Sequence, residues 1–216
     1  GRAGLIHARN FARTVPGARL AALVDPQAEA LAAAGRELGV EKLYADYRQA
    51  LADREVQAVV VVTPTKFHRD IVVTAARAGR HILCEKPMAL DAAEVAAMIR
   101  AAEAGGVLLM EGFMYKFHPQ IDRTLALVRS GRIGEVRSVH SSFTFRFGRD
   151  GANYRWSPAQ GGGALYDVGC YTLSAARLVL GAEPVSVFAR ARIDPATGID
   201  LTTSALLEFP GGRFAS

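Results

Sequence analysis

AVVVVTPTKFHRDIVVTAARAGRHILCEKP, residues Ala58 to Pro87, decides the fold. Val59 to Val62 is apolar at every position, the pattern of a strand covered on both faces and not of one with a wet side. Pro64 follows its end, Phe67 to Ala78 repeats apolar residues at helical spacing, and Gly79 closes that helix. His81 to Cys84 is then a second short apolar run. Strand, helix and strand joined this closely make a parallel pair with a crossover helix.

The same alternation extends outward on both sides. Upstream lie a helix-like opening, a strand over Leu20 to Asp25, a helix over Ala28 to Leu38, a short strand at Leu43 and Tyr44, and a helical turn over Tyr47 to Ala52. Downstream are a helix over Asp91 to Ala104 and a strand over Val107 to Glu111. Together they predict a doubly wound, parallel α/β domain over residues 1–114. Beyond it the pattern changes. A helix over about Pro119 to Ser130 precedes a long strand from about Ile133 to Phe147, with bulky residues at Val139, Phe143, Phe145 and Phe147. A polar, Gly-rich loop leads to a helix from about Gly163 to Leu180, then strands over Val185 to Ile193 and Thr202 to Phe209. This half, residues 115–216, reads as an α+β domain with an open, mostly antiparallel sheet.

Composition narrows the classes. Half of the 216 residues are hydrophobic and 22% are charged, the balance of a globular chain. The longest apolar stretches fall far short of the roughly 20 residues of a membrane span, and the first residues lack the regions of a secretory signal. Although the net charge is +5, Lys and Arg are interleaved with Asp and Glu, which argues against nucleic acid and suits an anionic cofactor. The two cysteines, Cys84 and Cys170, sit in apolar settings, as reduced thiols of a cytoplasmic protein do, and no Cys/His cluster has metal-ligand spacing.

Lys86 is the residue to build a site around. It follows the strand His81 to Cys84, and ligands of open α/β sheets bind beyond the carboxyl ends of the strands. Gly1-Arg2-Ala3-Gly4 ahead of a helix matches the last four positions of a G-x-G-x-x-G turn, where backbone N–H groups and the helix dipole take a pyrophosphate. Asp25 ends a strand about 20 residues on, where a carboxylate accepts hydrogen bonds from a ribose 2′-hydroxyl and repels a 2′-phosphate. NAD is therefore expected ahead of NADP, with Arg2 the residue able to reach a phosphate. Thr63-Pro64-Thr65 should form the loop under the nicotinamide ribose, with His68 opening the next helix; Thr65 as an N-cap and His68 as a packing residue are the structural alternatives. In the second half, Gly161-Gly162-Gly163 precedes Asp167 and Tyr171, four residues apart on one helical face. Either the tyrosine is buried and bonds Asp167, or the glycines admit a ring or sugar to both.

Glu85-Lys86-Pro87 together with Gly-Gly-Gly-Ala-Leu-x-Asp-x-Gly-x-Tyr over residues 161–171 resembles the glucose-fructose oxidoreductase/inositol dehydrogenase (Gfo/Idh/MocA) family. The resemblance extends to Met110–Tyr115 and Asn153–Trp156. Tyrosine at position 171 is similar to the branch containing dimeric dihydrodiol dehydrogenase, xylose dehydrogenase and glucose-fructose oxidoreductase. The resemblance implies that Lys86 and Tyr171 are a catalytic pair, that Asp167 lies in the substrate pocket, that Glu85, Lys86 and Pro87 border the cofactor with a cis bond before Pro87, and that copies of the chain associate through the second-domain sheet. Tyr154, Arg155 and Trp156 would then wall the pocket of a sugar, polyol or cyclic diol.

The chemistry fits. Oxidising an alcohol requires a proton to leave oxygen as hydride leaves carbon, and a free phenol, with pKa near 10, is rarely ionised at neutral pH. A lysine cation about 4 Å away offers about 4 kcal/mol at an effective dielectric of about 20, roughly 3 pKa units. Tyr171 is thus expected as acid and base, Lys86 as its tuner and a ligand of the substrate oxygen, and Asp167 as orienter. A regulator that kept the fold without the chemistry and a sugar–sugar oxidoreductase with retained nucleotide are the alternatives. The first glycine of the fingerprint and the strand before it do not precede Gly1, and residues 209–216 read as a hairpin whose second strand has just begun. An internal piece of a longer protein is the expectation.

Overall fold

The computed structural model describes residues 1–148 and 153–216. They form two compact units, Gly1–Gly112 and Phe113–Ser216.

The first unit is an alternating α/β structure. In order it comprises α1 (Arg2–Arg13), β1 (Leu23–Val24), α2 (Ala28–Leu38), β2 (Leu43–Tyr44), α3 (Tyr47–Ala52), β3 (Ala58–Val61), α4 (His68–Arg77), β4 (His81–Cys84), α5 (Ala92–Gly105) and β5 (Leu109–Glu111). Its strands form two parallel sheets, β1-β2 and β3-β4-β5, with no ladder between β1 and β3. The expected strand over Leu20 to Asp25 shortens to Leu23–Val24, because its ladder extends only to Leu43 and Tyr44. One face of β3-β4-β5 is covered by α4 and α5, while Val60 and Leu83 on the other are half-buried and Met110 is exposed. Val61, Ile82 and Cys84 pack with Val72, Ala75 and Ala76 of α4 and Met98 of α5 in one core. Each fully buried side chain of the Val or Met class contributes about 1.5–3 kcal/mol. Asp91 caps α5 by accepting from the Glu94 amide, and Gly106 closes it in the left-handed region.

The second unit contains α6 (Pro119–Arg129), β6 (Ser138–Val139), α7 (Cys170–Leu180), β7 (Ser186–Ile193), β8 (Asp200–Phe209) and β9 (Arg213–Ala215). Its mixed sheet has the order β6-β9-β8-β7, antiparallel except for β6 against β9. Ala176 and Leu180 of α7 pack on Leu207, Phe209 and Ala215 of one sheet face.

Two expectations need correction here. The long strand over residues 133–147 reduces to Ser138–Val139, whose partner β9 offers Phe214 and Ala215. Alternation fixed the side of the chain on which rings lie, since Phe143, Phe145 and Phe147 meet in sequence at 6.4 and 5.9 Å, but alternation without a neighbouring strand makes no ladder. The helix over 163–180 is also not uniform. It opens with a π-helical turn, Leu165–Gly169, before α7 begins.

Candidate functional site

In the first unit, α1 begins at Arg2 after Gly1 and has no acid in its first turn, a charge pattern compatible with an anion at a helix N-terminus. A Cβ on Gly4 would stand 3.3 Å from Val62 Cγ2, so the glycine allows the helix to approach the end of β3 closely. Asp25 Oδ2 lies 3.7 Å from the Gly1 nitrogen, and Asp25 Oδ1 accepts from the Gln27 amide at 2.9 Å. Gly1 and the acid that follows β1 are therefore side by side, and the expected glycine turn is already helix from Arg2, which is exposed.

Lys86 lies on a braced loop. Its bond to Pro87 is cis. Ahead of it, the Glu85 amide donates to Val61 O at 2.9 Å, Glu85 Oε2 accepts from the Lys86 amide at 3.1 Å, and Glu85 Oε1 pairs with His7 Nε2 at 2.8 Å. Burial works against the charge on Glu85, yet the hydrogen bonds from His7 and the Lys86 amide outweigh it and hold the carboxyl below its ordinary value. Behind it, the Met88 amide donates to Glu111 Oε1 at 3.0 Å. Cys84 is fully buried and its thiol is pushed up to about 12, first by burial and then by Glu111 and Glu85, so it is inert.

Of the two expectations for His68, a place at the cofactor loop or a packing role, its 1% exposure matches packing. Its Nε2 meets Thr63 O at 2.8 Å, and its Nδ1 meets Pro87 O and Met88 O at 3.2 and 3.1 Å. The ring ties the loop after β3 to the loop after β4 and so supports Thr63 and Pro87. Thr65 is likewise buried, inside a 3-10 turn Thr65–Phe67 whose first position follows Pro64, and it caps no helix.

In the second unit, Arg155 Nε donates to Asp167 Oδ2 at 2.7 Å, and Asp167 is buried. Burial opposes the guanidinium charge, but the bond to Asp167 and its negative charge raise Arg155 above the usual arginine value. Tyr154, Arg155 and Trp156 form a 3-10 turn capped by Asn153. The Arg155 guanidinium stands 4.9 Å from the Tyr154 ring centre and 5.6 Å from that of Phe147, and Trp156 stacks on Phe147 at 5.8 Å. The Tyr171 ring packs edge-on to Phe113 at 5.4 Å and beside Phe143 at 5.7 Å. Its hydroxyl donates to Met114 Sδ at 3.5 Å. Tyr154, Arg155, Trp156 and Asp167 are thus one cluster, and the rings of Phe143, Phe145 and Phe147 link it to Tyr171.

The glycines before Asp167 serve the chain itself. A Cβ on Gly162 would collide with the Arg155 carbonyl, and one on Gly163, at φ +108°, with the Asp200 carboxylate. The Gly163 amide donates to Arg155 O at 3.1 Å. Asp200 Oδ2 accepts from the Leu165 amide and from Thr203 Oγ1, both at 2.7 Å. The expected approach of a ring or sugar is replaced by a backbone clamp on the start of the π turn that carries Asp167. Asp200 and His7 were missed by sequence reading. Asp200 is 35 residues from its partner and has no local signal. His7 had one, because it lies three residues beyond Gly4 and so on the same face of α1.

Among the described residues, no group of three or more His, Cys, Asp or Glu side chains could hold a metal, and no helix is long and apolar enough to cross a membrane.

Residues 1–113 match the family described as "Oxidoreductase family, NAD-binding Rossmann fold", and residues 121–216 match "GFO/IDH/MocA C-terminal domain". The chain is 42% identical over 196 residues to D-xylose 1-dehydrogenase (NADP(+)) 2 of Haloferax volcanii, covering 90% of this chain and 60% of that protein. It is 32% identical over 208 residues to mouse (Mus musculus) trans-1,2-dihydrobenzene-1,2-diol dehydrogenase, covering 91% of this chain and 62% of that protein. It superposes on the crystal structure of aldose-aldose oxidoreductase from Caulobacter crescentus with a TM-score of 0.88 at 34% identity, over 95% of this chain and 64% of that one. The chain therefore spans less than two thirds of the length of each of these relatives.

Proposed function

The chain belongs to the Gfo/Idh/MocA family of oxidoreductases, and from that premise we propose that the whole protein is an NAD(P)-dependent dehydrogenase moving hydride between nicotinamide and a CH–OH group of a sugar or cyclic diol. The observation that carries the reading is the bracing of Lys86: hydrogen bonds fix the loop on both sides of it, within the same unit as the uncapped N-terminus of α1 and Asp25. A lysine whose backbone is fixed just beyond the carboxyl end of a parallel strand supports this reading, because ligands of open α/β sheets bind there.

Gly1, Arg2, Ala3 and Gly4 would receive the dinucleotide phosphates, Asp25 the adenosine ribose, and Thr63, Pro64, Thr65, Glu85 and Pro87 would border the remainder through their backbone. When bound, the nicotinamide supplies the hydride acceptor or donor. Tyr171 takes the hydroxyl proton in oxidation and returns it in reduction, Lys86 stabilises the developing alkoxide, and Asp167, held by Arg155, orients the sugar. Tyr154 and Trp156 supply the ring faces of the pocket wall.

NAD is proposed as the better substrate. Although the 42% identical xylose dehydrogenase is named for NADP(+), the Asp25 carboxylate beside Gly1 would repel a 2′-phosphate. A cytoplasmic location and a homo-oligomer complete the reading. Phe188, Leu206 and Phe214 share one exposed face of the second unit's sheet, opposite the face packed on α7, and such a patch suits a second copy.

The test is to incubate the intact protein with a panel of aldoses, inositols and cyclic diols, with NAD and NADP in parallel. At least one sugar or diol is expected to yield reduced nicotinamide, with kcat/KM at least about 10-fold higher for NAD, about 1.4 kcal/mol. Reduction by no member of the panel contradicts the dehydrogenase, and a preference for NADP contradicts the role given to Asp25.

A further inference from the structure

We propose that His7 is a positioning residue, linking the helix that receives the dinucleotide to the backbone of Lys86 through Glu85. The inference rests on the dehydrogenase reading and adds a residue that the reading does not use.

Its basis is the route of hydrogen bonds. Glu85 is ionised and accepts only, so His7 carries its proton on Nε2 and donates at 2.8 Å to Oε1. The second oxygen of the same carboxylate accepts from the Lys86 amide at 3.1 Å. One carboxylate therefore joins α1 to the residue that acts on substrate, with side chains 25% and 17% exposed at the two ends of the pair. The other braces do not involve α1. Val61 O holds the Glu85 amide and Glu111 the Met88 amide, while His68 meets the carbonyls of Pro87 and Met88. Losing His7 leaves those in place and frees only the Glu85 carboxylate, which can then swing toward water and release the Lys86 amide. The fold should survive such a change while the aim of Lys86 does not.

Gly1 is the N-cap of α1, and Gly4 and His7 lie within its first two turns. The dinucleotide would contact the helix at its first N–H groups, whereas His7 acts from the second turn. Dinucleotide affinity and turnover should therefore separate. A misplacement of about 1 Å at a reacting group costs up to about 10²-fold in rate.

The experiment compares the intact protein with His7→Phe, which keeps a flat ring and cannot donate, and His7→Gln, whose amide N–H can reach a carboxylate. Four quantities are read: kcat, the Kd of NAD by direct titration, the melting temperature without dinucleotide, and hydrogen exchange of the peptide spanning residues 84–88. For His7→Phe, kcat is expected to fall about 10-fold or more, with Kd within about 2-fold of wild type, an unchanged melting temperature and faster exchange at 84–88; for His7→Gln, kcat and exchange should recover in part. Unchanged kcat and exchange in His7→Phe would overturn the proposal. So would a joint loss of melting temperature, Kd and kcat with no recovery in His7→Gln, since that pattern is a packing defect. A wild-type protein that binds NAD but oxidises nothing overturns the function itself, and exchange at residues 84–88 then still reports whether His7 holds the loop.

Discussion

Tyr171→Phe lowers kcat at least about 100-fold, leaves the Kd of the dinucleotide within about 2-fold, and barely moves the melting temperature. The size follows from removal of the group proposed to carry the proton, since positioned acid–base catalysis contributes about 10²–10⁴-fold. The selectivity follows from the packing. The ring is held edge-on to Phe113 and beside Tyr115 and Phe143, and phenylalanine keeps those contacts. The hydroxyl gives up a bond to the thioether of Met114, a weak acceptor. Steady-state kinetics, a dinucleotide titration and a thermal melt check the three parts. Near-normal turnover would remove Tyr171 from the chemistry.

Lys86→Met is expected to lower kcat by about 10²–10³-fold, the usual cost of losing one preorganised stabiliser of developing negative charge. The pH dependence gives the sign. With the cation gone, the proton leaves oxygen less readily, so the profile of the oxidation rate moves to higher pH. Lys86→Arg should not restore the rate, because a planar guanidinium does not reproduce a compact ammonium at one oxygen. The pH profile of kcat in all three proteins is the measurement, and an unshifted profile with full activity in Lys86→Met would exclude the role.

The first unit was legible because its signals are local. Val59 to Val62 and Ile82 to Cys84 are apolar at every position, and Gly39 and Gly79 stand in the left-handed region at or just past helix ends, so pattern and punctuation agreed there; the stop expected at Gly105 falls one residue later, at Gly106, because Gly105 is still helical. Residues 140–147 misled because alternating phenylalanines record a shared side of an extended chain and not a hydrogen-bonded neighbour. The π turn at Leu165–Gly169 had no local signal, and the amide at its start is held by Asp200, 35 residues away. The three glycines were read as room for a ligand, whereas Gly162 and Gly163 make room for Arg155 and Asp200. His68 was given to the cofactor because it begins a helix at the right loop; its burial against three carbonyls depends on Pro87 and Met88, 19 and 20 residues away. In each case sequence placed the residue in its segment, and distant partners decided what its side chain does.

The central claim is direct hydride transfer from a substrate carbon, and isotope transfer tests it. The intact protein is incubated with NAD and a sugar or diol turned over in the panel, deuterated at the carbon bearing the oxidised hydroxyl, and the recovered dinucleotide is weighed by mass spectrometry. Deuterium on the reduced nicotinamide is the predicted result. Reduced nicotinamide without the label, or label released to water, would contradict the account.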